Sequence, residues 1–207
     1  MSEGEEFNLN RPEPLLIVIS GPSGVGKDTV IQCMMERGLH FHFVVTATTR
    51  PPRPEERHGV DYFFLTKDEF AEMIDQGELL EYAIVYNDYK GIPKQQVRQA
   101  LTSGMDVIMR VDVQGATTIR NLCPDALLVF LTTRDEDELV TRLTVRKSET
   151  PEGLKLRIAT ARQELKRIDI FDYVVVNEDC RLPQTVDTIT AIVQVEHHRV
   201  NHRKVTL

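Results

Sequence analysis

Hydrophobic positions in this chain of 207 residues fall into short aliphatic runs separated by segments of helical spacing. The first run, 15–19, consists only of Leu, Ile and Val; it leads into the Gly-rich stretch GPSGVGK, after which Val30, Ile31 and Met34 recur at i, i+1 and i+4. That order predicts a buried strand, a tight loop and the start of a helix. Runs at 41–45, 79–86, 107–111, 127–131 and 173–176 predict further strands, most of them separated by helical patterns. Thr66 with Glu69 forms a capping box, followed by Phe70, Met73 and Ile74 on one face and Gly77 as a stop. Val97, Ala100 and Leu101 mark a helix over 94–103, and Thr133 with Glu136 caps another whose inner face is Leu139, Val140 and Leu143. Thr150 and Pro151 open a longer helix lined by Leu154, Ile158, Ala161 and Leu165.

Strands alternating with helices, without internal repeats or low-complexity linkers, specify an α/β fold: a parallel sheet covered on both faces, with right-handed crossovers. Ligands of such sheets bind at the C-terminal ends of the strands, where the Gly-rich loop lies. Residues 46–64 break the rhythm. Their sequence TATTRPPRPEERHGVDYFF is rich in Pro and Arg and predicts irregular backbone with short antiparallel strands, an insert that binds something.

Composition narrows the picture. With 41% hydrophobic residues the chain can bury one full core, which makes one domain the expectation. A net charge of −7 argues against a general nucleic-acid binder and in favour of small anionic ligands held by local clusters of base. Cys33, Cys123 and Cys180 are odd in number and lack CxxC spacing, so they read as reduced thiols on the core or a helix face. Residues 1–13 are acidic and read as a disordered leader, and no apolar run approaches the ~18 residues of a membrane span. The expected location is therefore the cytoplasm. The six histidines show no metal-ligand spacing, and the C-terminal VEHHRVNHRK reads as a helix end and tail.

The chemistry concentrates first in the Gly-rich loop. Gly21, Gly24 and Gly26 permit backbone angles that turn successive N–H groups onto a phosphate chain; Lys27 reaches the outer phosphates, and the helix N-terminus adds its dipole. GxxxxGK normally continues with Ser or Thr as a Mg2+ ligand, whereas here Asp28 follows and the hydroxyl comes only at Thr29. Arg50 and Arg53, in a loop pinned by Pro51, Pro52 and Pro54, present guanidinium forks suited to a monophosphate, with Tyr62 adding a hydroxyl.

Taken with TTRPPRPEERHGVDY, EYAIVYNDYKGIP, DVQGA, SETPEGLKLR and VVVN, in that order, the loop makes the chain resemble a guanylate kinase of the P-loop nucleoside monophosphate kinase superfamily. The resemblance covers roughly 15–200. It implies a three-layer P-loop core, a mixed α/β GMP-binding insert over about 46–91 and a helical lid over about 134–157 that closes over ATP. It implies transfer of a phosphoryl group from ATP to GMP, with dGMP as a second acceptor. Gly21, Pro22, Ser23, Gly24, Val25, Gly26, Lys27, Asp28, Thr29, Arg142 and Asn177 would bind ATP. Thr46, Arg50, Arg53, Tyr62, Glu81, Lys90, Ile92 and Asp112 would bind GMP, with Glu81 and Asp112 reading the guanine donors. Lys27, Arg146 and Arg157 would stabilise the transferring group, with Mg2+ held through the ATP phosphates and by Asp28 or Thr29.

Four positions depart from the family pattern. Asp28 replaces a hydroxyl, Lys90 a phenol, Ile92 a hydroxyl near the guanine edge, and Arg110 an acid two residues before Asp112. These departures keep open a related kinase with another monophosphate acceptor; a non-catalytic guanylate-kinase-like interaction module is the third alternative.

Overall fold

The computed structural model describes residues 13–85, 87–145 and 151–207. The expected leader, except for Glu13, the proposed helix start Thr150 and the expected lid arginine Arg146 lie outside them. In chain order the elements are β1 (Leu16–Ser20), α1 (Lys27–Glu36), β2 (Phe41–Phe43), β3 (Thr46–Thr48) and β4 (Tyr62–Phe64). They continue with α2 (Lys67–Asp75), β5 (Leu79–Val85), β6 (Asp88–Pro93), α3 (Lys94–Thr102), β7 (Asp106–Arg110) and α4 (Val113–Leu122). The last are β8 (Leu127–Thr132), α5 (Glu136–Val145), α6 (Pro151–Leu165), β9 (Tyr173–Val176) and α7 (Leu182–His197).

Five strands form one sheet in the order β2-β7-β1-β8-β9, all pairs parallel. Its layering follows from the period of two along β1. Ile17 and Ile19 face one way, into a core with Val30, Ile31 and Met34 of α1 and Val186, Ile189 and Val193 of α7. Leu16 and Val18 face the other way, against Val97 and Ala100 of α3 and Ala116 and Ile119 of α4. A strand buried on both faces is why 15–19 reads as an unbroken aliphatic run.

The second sheet, β4-β3-β6-β5, occupies the stretch from Thr46 to Pro93 and has a small core of its own in Ala47, Phe70 and Leu79. Here the expectation of antiparallel strands within 46–64 is corrected. β3 and β4 pair parallel, because the Arg- and Pro-rich connection is long enough to carry the chain back, and the antiparallel partner of β3 is β6.

Local signals fared unevenly. The Thr66–Glu69 capping box on α2 is present in both directions. The cap of α5 is not Thr133: the Asp135 carboxylate accepts the Glu138 N–H at 2.8 Å, while the Thr133 hydroxyl donates to the Asp135 carbonyl. Leu165, expected on the inner face of α6, is 40% exposed because the helix ends there. Cys180 lies in neither core nor helix; it is exposed, with φ of 58°.

The C-terminal stretch is more than a tail. Arg203 is buried, and its guanidinium donates to Glu196 at 2.6 Å and to the Ala126 carbonyl at 3.1 Å. Glu196 also accepts from the Tyr173 hydroxyl at 2.7 Å and from Arg199 at 3.2 Å. Burial works to raise the Glu196 carboxyl, but these donors outweigh it and hold it down at about 2. A carboxylate depressed in the folded state stabilises above its unfolded value, near 4.5, and loses that contribution as pH falls toward 2. Glu196→Gln is therefore expected to cost on the order of 1–3 kcal/mol near neutral pH and to lose less stability than the parent protein between pH 5 and 2.5. Urea melts across that range check it; parallel pH profiles would remove Glu196 from the acid transition.

Candidate active site

The loop between β1 and α1 has the backbone its glycines allow. Gly21 has φ of 136°, and a Cβ there would lie 2.0 Å from the Leu131 carbonyl oxygen; Gly26 has φ of 92°, and a Cβ would lie 2.6 Å from Asn177 Nδ2. Both positions are closed to side chains by conformation and by space. The Lys27 ammonium folds back on the loop, donating to the carbonyls of Gly21 and, at 3.0 Å, Pro22. Burial pushes its pKa below the usual value, while the nearby Glu164, Asp28 and Asp112 work in the opposite sense.

On one side of the loop, Asn177 and Arg142 brace it: Asn177 donates to the Val25 carbonyl at 2.8 Å, and Arg142 donates to the same oxygen at 3.2 Å and to the Asn177 carbonyl at 2.7 Å. Gly24, Gly26, Thr29, Arg142, Asn177 and Cys180 surround a cavity of about 450 Å³ there. Arg157 of α6 reaches the loop from above, donating to Ser23 Oγ at 2.6 Å.

The larger cavity, about 660 Å³, opens on the other side and joins the loop to the second sheet. Gly21, Ser23, Gly24, Gly26, Lys27, Asp28, Thr29, Thr46, Arg50, Arg53, Tyr62, Glu81, Lys90, Asp112 and Arg157 all line it. Most of the expected site residues are thus brought together.

At its middle, cations gather around the Tyr62 ring. The guanidinium carbons of Arg50 and Arg110 lie 4.7 and 4.5 Å from its centroid, and the Lys90 ammonium 5.9 Å. Glu56 holds Arg50 by a bidentate pair at 2.7 and 2.6 Å and accepts the Arg53 N–H at 2.9 Å. Asp28 pairs with Arg110, which also donates to the Asp61 carbonyl at 3.2 Å. Burial works to raise the Asp28 carboxyl, but Arg110 and Lys27 outweigh it and keep it below its usual range. Burial, with Lys27 and Arg110 close by, brings the Lys90 ammonium down to about 8.

At the far end, Glu81 is only 5% exposed, and neither its Oε2 nor the buried Thr46 Oγ1 has a hydrogen-bond partner. Burial, and then the Asp112 charge, push the Glu81 carboxyl up to about 8. Gly115 makes room for it: a Cβ there would lie 2.8 Å from Glu81 Oε2. Two unpaired buried acceptors facing a cavity form a site for a ligand that brings its own donors.

One expected residue is not there. Ile92 is fully buried with Leu80 and Val97 in the core beneath β6 and does not line the cavity. Asp112 lines it, but one carboxylate oxygen is committed to capping α4 through the Gly115 N–H at 2.8 Å. Missed from the sequence were Glu56, the meeting of Asp28 with Arg110, Gly115, and the residues that share the polar face of α6 with the expected Arg157. That face had a legible signal: Arg157, Thr160 and Glu164 recur at helical spacing and all line the cavity.

Comparisons with known proteins show the family. The family model described as Guanylate kinase matches residues 13–196. The chain is 51% identical over 197 residues to "Guanylate kinase 2, chloroplastic/mitochondrial" of Oryza sativa subsp. japonica, covering 95% of this chain and 69% of that protein. It is 43% identical over 187 residues to a guanylate kinase of Latilactobacillus sakei, covering 90% and 91%. Among solved structures, the guanylate kinase from Anaplasma phagocytophilum superposes with a TM-score of 0.77 at 27% identity, covering 92% of this chain and 89% of that one.

Proposed function

The chain belongs to the guanylate kinase family, and from that premise we propose that it transfers the terminal phosphoryl group of ATP to GMP, and to dGMP, giving ADP and the nucleoside diphosphate. The observation that carries this is that one cavity is lined by the Lys27 loop, by Arg50, Arg53 and Tyr62, and by Glu81 and Thr46. It offers a donor-phosphate cradle, an acceptor-phosphate clamp and a base pocket within one space.

Guanine presents N1–H and an N2 amino group as adjacent donors, which fits the unpartnered Glu81 Oε2 and Thr46 Oγ1, with Asp112 adding its second oxygen. Adenine lacks that pair, so it would leave those buried acceptors unpaired. Arg50, Arg53, Tyr62 and Lys90 hold the acceptor phosphate, and Glu56 keeps the Arg50 fork oriented before the ligand arrives. The loop from Gly21 to Thr29 binds the ATP phosphates through backbone N–H groups, while the smaller cavity beside Arg142 and Asn177 takes the adenosine end.

The acceptor phosphate is mostly dianionic at neutral pH, so its oxygen attacks the terminal phosphorus without a general base as the bond to ADP breaks. Lys27 and Arg157, joined by Arg146, neutralise charge on the transferring group. The insert over about 46–91 and the lid over about 134–157 are the parts expected to close on the two nucleotides. Thr29 lines the cavity with a hydroxyl, a hard oxygen donor that would hold Mg2+ together with the ATP phosphates, whereas the Asp28 carboxylate is taken up by Arg110; no cluster of three metal-binding side chains occurs among the described residues. When bound with ATP phosphates, Mg2+ supplies charge neutralisation.

We place the protein in the cytoplasm on its three free thiols; no helix among the described residues is long and apolar enough to cross a membrane. A coupled ADP-release assay across GMP, dGMP, AMP, UMP and CMP tests the activity. GMP and dGMP are expected to exceed AMP by roughly a hundredfold or more in kcat/KM; comparable use of AMP would overturn the assignment. Gly115→Ala is expected to push Glu81 aside and raise KM for GMP by roughly tenfold, with KM for ATP little changed. An unchanged KM for GMP would separate Glu81 from base recognition.

A further inference from the structure

Asp28 and Arg110 are two separate departures from the expected residue types, 82 positions apart in sequence, and in the fold they meet as an ion pair. We propose that Arg110, paired to Asp28, is a positioning residue that docks the acceptor-phosphate loop onto the donor-phosphate loop. This rests on Arg50, Arg53 and Tyr62 holding the acceptor phosphate.

The placement follows from the core sheet. Arg110 is the last residue of β7 and stands in register beside Ile19 of β1, directly before the phosphate loop. From there its guanidinium spans three elements: the Asp28 carboxylate in the first turn of α1, the Asp61 carbonyl, and the ring of Tyr62 in the second sheet. Arg110 and Arg50 both lie against the Tyr62 ring, which is buried. A planar fork with five donors meets a carboxylate, a carbonyl and a ring in one fixed geometry, which the point charge of an ammonium does not impose.

Charge accounts for the pairing. Asp28 alone beside a phosphate chain would repel it, and Arg110 alone would add a third cation next to Lys27 and Lys90. Together they are neutral, so their contribution is to geometry more than to attraction. A hydroxyl at position 28 or an acid at 110 would each take the charged partner from the other group.

The test is steady-state kinetics on Arg110→Met, Arg110→Lys, Asp28→Asn and the double variant Asp28→Asn/Arg110→Met, with the parent enzyme's use of GMP as control. Arg110→Met is expected to raise KM for GMP by roughly tenfold or more while KM for ATP stays within about twofold. Arg110→Lys is expected to fall between, and the double variant to match Arg110→Met alone because both changes break one link. If Arg110→Met is insoluble, Arg110→Lys decides alone. A KM for GMP within about twofold of the parent in an active variant, or effects of Asp28→Asn and Arg110→Met that multiply, would overturn the proposal. A parent enzyme that ignores GMP would count against the acceptor site itself.

Discussion

Lys27→Ala is expected to lower kcat by roughly three orders of magnitude or more while the melting temperature stays within a few degrees of the parent. The separation follows from where the side chain spends its interactions. Among the described residues its hydrogen bonds are to the Gly21 and Pro22 carbonyls, groups that water or a bound nucleotide can satisfy. Packing of α1 rests on Val30, Ile31 and Met34, which lie in the core, and Ala is a better helix former than Lys. On the proposed mechanism, what the substitution removes is the cation that neutralises charge developing between donor and acceptor. ATP binding should weaken less than turnover, because the loop N–H groups and the end of α1 remain. Circular dichroism melts and single-turnover kinetics separate the two effects. Activity within about tenfold of the parent, with the fold intact, would show that the phosphoryl group does not pass beside Lys27.

The loop was legible because everything that defines it is local: an aliphatic strand, three glycines, a lysine and a helix face within twenty or so residues. The second sheet was legible only in outline. Residues 46–64 announced an insert by Pro and Arg, but strand direction depends on partners far along the chain, and β3 takes its antiparallel neighbour from β6. Lys90 and Ile92 show the same limit within one strand. Two residues apart, they face the same way, yet Lys90 reaches the cavity and Ile92 sinks into the core with Leu80 and Val97. Periodicity gives the face of a strand, not the depth along it. Asp28 and Arg110 each looked like an isolated departure, since an ion pair between loop and strand ends leaves no spacing to read. Arg203 looked like tail for the same reason: its partners Glu196 and Ala126 are joined to it by the fold alone.

GMP binding is expected to pass through an optimum near pH 8 in the parent enzyme, and Glu81→Gln to weaken GMP by roughly ten- to a hundredfold and erase the acid side of that optimum. In the empty site burial and Asp112 place the Glu81 carboxyl near 8, so at neutral pH it is mostly protonated. Guanine brings two donors, which favour the carboxylate, and binding therefore expels a proton. Affinity must then rise with pH as long as the free site is protonated, by up to about tenfold per unit, and level off above 8. Lys90 works in the opposite direction: its ammonium, brought to about 8 by burial beside Lys27 and Arg110, loses its charge above that pH and with it part of the hold on the acceptor phosphate. The two limbs can be told apart by the ligand. Guanosine carries no phosphate, so its affinity should rise to a plateau without the alkaline fall, whereas GMP should show both limbs. Isothermal titration between pH 6.5 and 9 in buffers of different ionisation heat measures affinity and proton release together. Glu81→Gln offers one oxygen and an amide NH2 that opposes the second guanine donor, and it has no proton to release, so its acid limb should be flat. A parent enzyme whose guanosine affinity is level from pH 6.5 to 8 would show that Glu81 is already ionised or does not touch the base, and guanine would then have to be read by Thr46 and Asp112.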